Sequence, residues 1–283
     1  AGYYSTTAVR AVGAIPVYVD VEPGSLNMDP AALAGALSPR TRAVIVTHLY
    51  GRMAAMPRLM EVAGPAGVPV IEDCAQAHGA ALAGRPAGSW GKAGCFSFYP
   101  TKNLGALGDG GAVVTSDAAL AGRLRQLRQY GWQERFRCAL PGGRNSRLDE
   151  MQAALLRAKL PHLRGWNERR RAIARSYSAA LAQAPLVLPE SFEEDYVAHL
   201  YVIRAARRDE LRAFLAARGI FAEIHYPVPD HWQEASQAKP PAPPILPVTE
   251  QAAREVLTLP CFPEMTGAEV ETVSRAVLEF FTP

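Results

Sequence analysis

Lys102 follows an apolar, aromatic run from Cys95 to Tyr99 that predicts a buried strand. A glycine-rich turn comes next, and a second short strand is predicted over 111–115. Burial lowers the pKa of an ammonium group, and the neutral amine is the nucleophile that condenses with an aldehyde. A lone lysine in such a turn is more often a surface residue of a β-hairpin. The residues around it must therefore decide between covalent chemistry and a solvated surface.

Two other predicted strands would bring polar groups to the same place. Apolar runs over 43–51 and 68–73 contain His48 and Asp73 near their ends. Helical patterns separate these runs, and uniformly apolar strands alternating with helices are typical of a parallel sheet covered on both faces. Ligands of such sheets bind beyond the carboxyl ends of the strands. The sequence therefore predicts that His48, Asp73 and Lys102 lie along one edge.

If Lys102 holds an aldehyde cofactor as a Schiff base, that cofactor must also withdraw electrons, as pyridoxal phosphate can. Its ring withdraws electrons only while the ring nitrogen is protonated, and a neighbouring carboxylate keeps it protonated. Asp73 is the right residue type in the right place, although a strand-end aspartate also caps loops. Ser97, on the same strand as the lysine, could direct its hydroxyl to the cofactor phosphate. A serine bonded to the backbone is the alternative for Ser97.

Composition excludes several other classes of protein. The chain has 283 residues, 49% of them hydrophobic, which suits a large globular core. Its 30 basic and 27 acidic residues leave a net charge of +3, too small to favour nucleic acid. The four cysteines have no metal-ligand spacing, so we expect free thiols, no metal site and a cytoplasmic location. No apolar run reaches membrane-spanning length, and the N-terminus has no signal pattern.

The predicted organisation is α/β, with two domains. Residues 1–160 form a large cofactor-binding domain, and residues 161–283 supply an interdomain helix and a smaller C-terminal α/β domain. A proline-rich loop is expected over 235–247. Besides the strands above, the patterns predict a short β-rich run at 16–21 and, for the second domain, a strand at 196–204, a helix at 208–218, a strand at 219–225 and helices at 248–257 and 266–281.

Several longer motifs occur in order along nearly the whole chain. They are Glu72-Asp73-Cys74-Ala75-Gln76-Ala77-His78-Gly79-Ala80, the stretch 97–111, the strand end 47–51, and the stretches 143–150, 225–229 and 257–260. Together they resemble the DegT/DnrJ/EryC1/StrS family of sugar aminotransferases. The resemblance implies a sheet sandwiched by helices, the fold type I of transferases that depend on pyridoxal phosphate.

The family pattern implies a role for each cofactor residue. Lys102 would hold the cofactor as a Schiff base and later move the substrate proton. Asp73 would pair with the pyridine nitrogen, and Gln76 would lie near the ring and its phenolic oxygen. Ser97 would bind the phosphate.

The resemblance also implies a partner subunit and substrates. Asn145 would reach the cofactor phosphate of the neighbouring subunit, so the family pattern implies a homodimer with shared active sites. His225 and Tyr226 would border a sugar-nucleotide pocket, although a structural partner is an equal expectation for His225. An amino acid, expected to be glutamate, would donate the amine to a nucleotide-linked keto-deoxysugar in deoxysugar or polysaccharide biosynthesis.

Two departures from the family pattern stand out. Family members have an upstream segment that binds the cofactor phosphate at a helix start and stacks an aromatic residue on the ring. The sequence begins at Ala1, without that segment, so we expect weak cofactor binding if the chain is complete and an ordinary parent enzyme if it is a fragment. Asp230 stands where relatives commonly carry an apolar residue, which affects substrate preference.

Three alternatives compete with the aminotransferase. A dehydratase branch of the same family replaces the lysine with histidine, and Lys102 argues against it. A non-catalytic or cofactor-poor protein that keeps the fold stays open. A nucleotide-binding loop at 105–111 fails, because a strand follows the glycines where a dinucleotide fingerprint requires a helix.

Overall fold

The computed structural model describes residues 2–237 and 244–282, and these contain ten strands and ten α-helices. The strands are β1 (Val44–Thr47), β2 (Val70–Asp73), β3 (Ala81–Leu82), β4 (Arg85–Pro86), β5 (Ala93–Ser97), β6 (Gly111–Val114), β7 (Trp132–Glu134), β8 (Arg137–Cys138), β9 (Tyr201–Arg204) and β10 (Val256–Leu259). The helices are α1 (Tyr4–Ala11), α2 (Pro30–Ala36), α3 (Met56–Ala63), α4 (Ala118–Leu127), α5 (Glu150–Lys159), α6 (Leu163–Leu181), α7 (Arg208–Ala216), α8 (Glu234–Gln237), α9 (Pro247–Glu255) and α10 (Gly267–Phe281).

The central sheet has the strand order β1-β2-β5-β6. The pairs β1–β2 and β2–β5 are parallel, and β6 returns antiparallel to β5. The predicted mostly parallel α/β sheet, with an antiparallel strand after the lysine turn, is confirmed. The carboxyl ends of β1, β2 and β5 therefore meet at one edge, where Thr47, Asp73 and Ser97 are the last strand residues.

Local sequence accounts for several helix starts. The side chain of Asp29 accepts a hydrogen bond from the backbone N–H of Ala31 at 2.8 Å, and Pro30 occupies the first turn of α2. Asp117 caps α4 in the same way, through the N–H of Leu120 at 3.0 Å.

Two large hydrophobic clusters hold the molecule together. One packs beneath β1 and β2 and includes Val46, Leu59 and Val70. The other joins α6, α7 and α10 to the two-stranded antiparallel sheet of β9 and β10. A boundary at residue 160, between a large domain and the helix that leads to a small one, stays a prediction.

Three strand or helix predictions need correction. Residues 16–21 form no strand but only a single bridge between Val21 and Met28, because no strand lies beside them. The expected strand at 219–225 is likewise reduced to one bridge, between Glu223 and Thr258. The end of the helix predicted at 248–257 is instead β10, since β-branched residues before Pro260 favour extended backbone and all four strand residues are buried against β9.

The remaining expectations concern loops, thiols and membranes. Residues 235–237 of the proline-rich loop expected over 235–247 belong to α8, and residues 238–243 lie outside the described residues. All four cysteines are free, as expected. Within the described ranges, none of the helices is long and apolar enough to cross a membrane.

Candidate active site

Lys102 lies in a tight turn just beyond the carboxyl end of β5. Its backbone N–H donates to the carbonyl oxygen of Tyr99 at 2.9 Å, and its side chain is half-buried. A Cβ atom on Gly105 would lie 2.4 Å from the carbonyl oxygen of Pro100, so only glycine fits where the turn folds back. Burial lowers the pKa of Lys102, although the nearby carboxylate of Asp73 acts in the opposite direction. The turn thus presents an amine whose neutral form is favoured.

Asp73 ends β2, the strand next to β5, and its half-buried carboxylate has only weak partners. The hydroxyls of Ser5 and Thr47 each donate to Oδ2 at 3.4 Å. The N–H of Ala75 donates to Oδ1 at 3.1 Å. Long hydrogen bonds of this kind leave a carboxylate able to accept a stronger one. Asp73 can therefore accept a hydrogen bond from an N–H group of a ligand.

Gln76 connects the strand edge to the segment that carries the expected substrate residues. Its Oε1 accepts a hydrogen bond from the N–H of Tyr50 at 2.6 Å, and its Nε2 donates to the hydroxyl of Tyr226 at 3.0 Å. The hydroxyl of Tyr50 in turn donates to the carbonyl oxygen of His225. Burial raises the pKa of Tyr226 to about 12, so this phenol stays protonated. Asp73, Gln76 and Tyr226 thus belong to one cluster.

His225 joins this cluster from the other side of Tyr226. Its Nδ1 lies 2.9 Å from the hydroxyl of Thr258, and its Nε2 lies 3.4 Å from the carboxylate of Glu223. Burial lowers the pKa of His225, against the influence of Glu223, and the charge of Lys102 lowers it further. The structural partner considered for His225 from the sequence is therefore present, in the form of Thr258.

Ser97 and Asn145 occupy different surroundings. The hydroxyl of Ser97, half-buried at the end of β5, accepts a hydrogen bond from the N–H of Tyr99 at 3.3 Å. Asn145 is exposed, and its Oδ1 accepts from Nε of Arg147 at 3.0 Å. The structure gives Asn145 no contact with the cluster around Lys102 in its own chain. An exposed position leaves its side chain available to another subunit.

Two histidines near Lys102 escaped prediction as site residues. His78 is buried between the rings of Phe96 and Phe98, and neither ring nitrogen has a hydrogen-bond partner among the described residues. Burial lowers the pKa of His78 to about 4. His199 is 7% exposed and comes from a distant part of the chain, so its position was not visible in the sequence. Only the nearness of His78 to Gln76 in the sequence could have indicated its place.

His48, predicted at this edge, belongs to a separate cluster with Glu72 and Cys74, three residues whose ligand atoms lie within 4.8 Å of one another. Nε2 of His48 lies 3.0 Å from Glu72, and its Nδ1 accepts from the N–H of Ala54 at 3.1 Å. The ring is therefore a neutral donor to Glu72. Burial alone would raise the pKa of Glu72, but the hydrogen bonds from His48 and from backbone N–H groups outweigh it and lower this pKa.

The hydrogen bonds to Glu72 already occupy the carboxylate lone pairs that a metal ion would need. Its carboxylate accepts from three backbone N–H groups as well as from His48. Burial keeps the thiol of Cys74 protonated by raising its pKa. A metal would need deprotonated ligands with free lone pairs, so the donor set does not fit one.

Asp230, the residue that departs from the family pattern, ties α1 to the substrate segment. Its carboxylate accepts hydrogen bonds from the N–H of Tyr3 at 3.2 Å and from the hydroxyl of Thr6 at 2.8 Å. Ser5, between them, reaches Asp73. A residue that the sequence linked only to substrate preference therefore also fixes the helix that contacts the site.

A lysine and an aspartate at adjacent carboxyl ends of a mostly parallel, helix-covered sheet match the arrangement expected of transferases of fold type I. Comparison with known proteins is more specific. Residues 2–278 match the DegT/DnrJ/EryC1/StrS aminotransferase family, and the chain belongs to it.

Two curated relatives with similar sequences are named as sugar aminotransferases. The chain is 47% identical over 278 residues to dTDP-3-amino-3,4,6-trideoxy-alpha-D-glucose transaminase of Streptomyces venezuelae, covering 98% of this chain and 73% of the relative. It is 46% identical over 274 residues to UDP-N-acetyl-3-dehydro-alpha-D-glucosamine 3-aminotransferase of Acidithiobacillus ferrooxidans, covering 95% and 73%.

A solved structure gives the same result for the fold. The crystal structure of S. venezuelae DesV in complex with a ketimine intermediate superposes with a TM-score of 0.95 at 46% identity. The match covers all of this chain and 76% of DesV. The fold type implied by the sequence motifs is therefore confirmed.

Proposed function

We propose that this chain is a pyridoxal phosphate-dependent aminotransferase that transfers an amino group from an amino acid, glutamate in the first instance, to a nucleotide-linked keto-deoxysugar. The observation that carries the proposal is the half-buried Lys102, with a lowered pKa, within electrostatic reach of Asp73 at the adjacent strand end. Family membership and the sugar transaminases among the relatives support the substrate class.

The residues present fit the cofactor. When bound, pyridoxal phosphate supplies an aldehyde that a lysine amine can hold and a ring that withdraws electrons from the substrate. Asp73 has the acceptor capacity to hold a proton on the ring nitrogen, because its three hydrogen bonds are 3.1 to 3.4 Å long. Ser97 and Gln76 are polar groups on the same strand edge that would contact the phosphate and the ring oxygen.

Lys102 then performs the proton transfer. Its amine, whose pKa burial lowers, can take a proton at Nζ from the carbon that bears the donor's amino group and give that proton up again later in the reaction. His225 and Tyr226 would border the sugar-nucleotide pocket, with Gln76 and Thr258 holding them in place. The protonated phenol of Tyr226 can donate a hydrogen bond to substrate oxygen.

The proposed active unit is a homodimer, with Asn145 completing the partner's phosphate site. Asn145 is exposed, so its side chain is available to a neighbouring subunit. We place the enzyme in the cytoplasm, where its four free thiols would stay reduced.

Complementation between subunits tests the shared site. Lys102→Ala and Asn145→Ala variants are each expected to be inactive or weak. Mixed in equal amounts, unfolded together and refolded, they should regain about a quarter of the wild-type sites, since half of random dimers contain one intact site. No recovery, with dimers present, would show that Asn145 acts within its own chain, and full activity of Asn145→Ala alone would show that it has no role.

The reaction itself is tested with a panel of keto-sugar nucleotides. The full-length protein is incubated with pyridoxal phosphate and glutamate, and amino-sugar formation is followed together with release of 2-oxoglutarate. Stoichiometric amounts of both products support the proposal. If no sugar nucleotide in the panel leads to consumption of glutamate and no cofactor binds, the proposal fails and the non-catalytic alternative replaces it.

A further inference from the structure

Two buried asparagines connect the segments that follow Lys102 and Asp73. Asn103, the residue after the lysine, is 5% exposed, and Asn167, on α6, is 3% exposed. Nδ2 of Asn103 donates to Oδ1 of Asn167 at 2.8 Å, and Nδ2 of Asn167 donates to the carbonyl oxygen of His78 at 2.7 Å. This asparagine link therefore runs from the turn that carries Lys102, through α6, to the segment that follows Asp73.

The other hydrogen bonds of Asn103 fix its side chain further. Its Nδ2 also donates to the carbonyl oxygen of Val197 at 3.2 Å, and its Oδ1 lies 2.9 Å from Nδ1 of His199. A carbonyl oxygen only accepts hydrogen bonds, so Val197 settles which way the amide of Asn103 points, and Nδ1 of His199 is the donor to Oδ1. All three partners of Asn103 are at least 64 positions away along the chain.

The far ends of these hydrogen bonds are themselves held in place. Arg170 is 8% exposed, and its Nη1 donates to the carbonyl oxygens of Ala198 at 3.3 Å and His199 at 3.2 Å. Gly79 has φ +82°, and a Cβ atom there would lie 2.9 Å from Nδ2 of Asn167, so glycine allows α6 to approach this segment closely. A displacement at one end of the asparagine link therefore meets fixed groups at the other.

Hydrogen bonds of the main sheet do not set the position of Lys102. The last pair of residues between β2 and β5 joins Asp73 to Cys95, which is seven residues before Lys102. The bond from the N–H of Lys102 to the carbonyl oxygen of Tyr99 connects two residues of the same turn. It shapes the turn without holding it to the neighbouring segment. Side chains must therefore do so, and Asn103 makes such contacts.

We propose that Asn103 and Asn167 are positioning residues, which hold the turn of Lys102 against the segment that follows Asp73 and so keep the amine and the carboxylate at one spacing. The kinetic consequence rests on the proposed function, in which Lys102 moves a proton and Asp73 holds the proton of the ring nitrogen. The hydrogen bonds of the asparagine link are present in the chain without cofactor. Neither asparagine needs to contact the substrate.

Two alanine variants and one control test the asparagine link. Asn103→Ala removes all three hydrogen bonds of the amide next to Lys102. Asn167→Ala breaks the link but leaves Asn103 its two other bonds, and it supplies the result if Asn103→Ala does not fold. Tyr177→Phe is the matched control, since it removes one buried hydrogen bond of the same helix, to the carbonyl oxygen of Pro260 at 2.9 Å.

The kinetic effect should lie in kcat. Asn103→Ala and Asn167→Ala should each lower kcat by about 10- to 100-fold with KM values within about twofold, because only the placement of the proton-carrying amine changes. The isotope effect with α-deuterated glutamate should rise, since proton transfer becomes slower relative to the other steps. Tyr177→Phe should leave both quantities unchanged. Wild-type kcat and isotope effect in Asn167→Ala would overturn the proposed positioning role.

Amide hydrogen exchange of the cofactor-free protein gives a second readout. The backbone N–H groups of Lys102 and Ala77 lie on opposite sides of the asparagine link, and both are hydrogen-bonded in the structure. Asn167→Ala should speed the exchange of both amides relative to the amides of β1, because each segment loses its contact with α6. Tyr177→Phe should change neither. Unchanged exchange of the Lys102 amide in Asn167→Ala would overturn the asparagine link.

These two readouts separate the asparagine link from the proposed function. If the wild type has no aminotransferase activity while Asn167→Ala speeds exchange at both amides, the proposed function fails and the link between the two segments stands. If the wild type is active while exchange and kcat are both unchanged in Asn167→Ala, the proposed function stands and the positioning role fails.

Discussion

Glu72 and Asp73 are adjacent carboxylates on one strand, yet their surroundings are opposite. Side chains alternate between the faces of a sheet, so the two point apart. Glu72 is fully buried and accepts four hydrogen bonds, all at 3.0 Å or less. Asp73 is half-buried and accepts three, all at 3.1 Å or more.

The difference separates a carboxylate whose hydrogen bonds stabilise the fold from one that can still bind a ligand. Glu72 joins β2 to the loop at 88–91 and to His48, and nothing is left for a ligand. On the Lys102 side of the same edge, the carboxylate of Asp73 accepts only bonds of 3.1 to 3.4 Å and keeps acceptor capacity for a ligand. Buried polar groups in folded proteins are normally satisfied, so spare capacity in a cluster indicates where a ligand belongs.

The largest effect should come from Lys102→Ala. Removal of the amine takes away both the attachment point and the proton carrier, so kcat should fall by at least about 10⁴-fold. Lys92→Ala is the matched control, because Lys92 is an exposed lysine paired with Asp117 at 2.6 Å. It should retain wild-type activity. Comparable losses in the two variants would contradict the role of Lys102.

Replacing each carboxylate with its neutral amide should affect kcat in one case and stability in the other. Asp73→Asn should keep its stability and lose about 10²- to 10³-fold in kcat, because an amide cannot hold the proton of the ring nitrogen. Glu72→Gln should lose roughly 2 to 4 kcal/mol of unfolding free energy, since its NH₂ group faces backbone donors. The folded fraction of Glu72→Gln should stay active. Urea unfolding measures the stability of each variant, and initial rates measure its kcat. A stable but inactive Glu72→Gln together with an unstable but active Asp73→Asn would contradict the roles given to the two carboxylates.

His78, a buried histidine near Lys102, should make the stability of the protein depend on pH. Its folded pKa of about 4 lies below the usual value of a histidine, so protonation favours the unfolded chain. The stability that neutral His78 contributes is therefore complete above about pH 6.5 and is lost as the pH falls toward 4, by about 3 kcal/mol in total. His78→Phe, which fits between Phe96 and Phe98, should lose less stability over this range. Parallel curves for the two proteins would contradict the assignment.

The smallest effect is expected at Asp230. Asp230→Leu restores the apolar residue common in relatives but removes the hydrogen bonds to Tyr3 and Thr6. Stability should fall by about 1 to 2 kcal/mol, and hydrogen exchange should show faster opening of α1. KM for the sugar nucleotide should rise more than kcat falls. Unchanged exchange in α1 would show that Asp230 does not hold this helix.

The sequence predicted those features that depend on local pattern. Continuous apolar runs located β1, β2 and β5, and the position of Asp73 and Lys102 at the strand ends followed from the rule for parallel sheets. The strand β10 was missed, because its helical pattern runs on from α9 and only pairing with β9 decides its conformation.

Other features depend on contacts between distant residues. Glu72 and Asp73 could not be assigned opposite roles from composition, since both end the same apolar run. The bond between His199 and Asn103 spans 96 residues, and no local pattern indicates it. Asn145 as a residue of the partner's site stays a prediction.

The most direct measurement is borohydride reduction of the full-length protein after incubation with pyridoxal phosphate, followed by peptide mapping. We expect a visible absorbance band that reduction removes, and a cofactor mass on the peptide containing Lys102 alone. Glu72→Gln, where folded, should give the same labelled peptide. A label spread over Lys92 and Lys159, or no label in protein shown to be folded, would contradict the role of Lys102 as the residue that holds the cofactor.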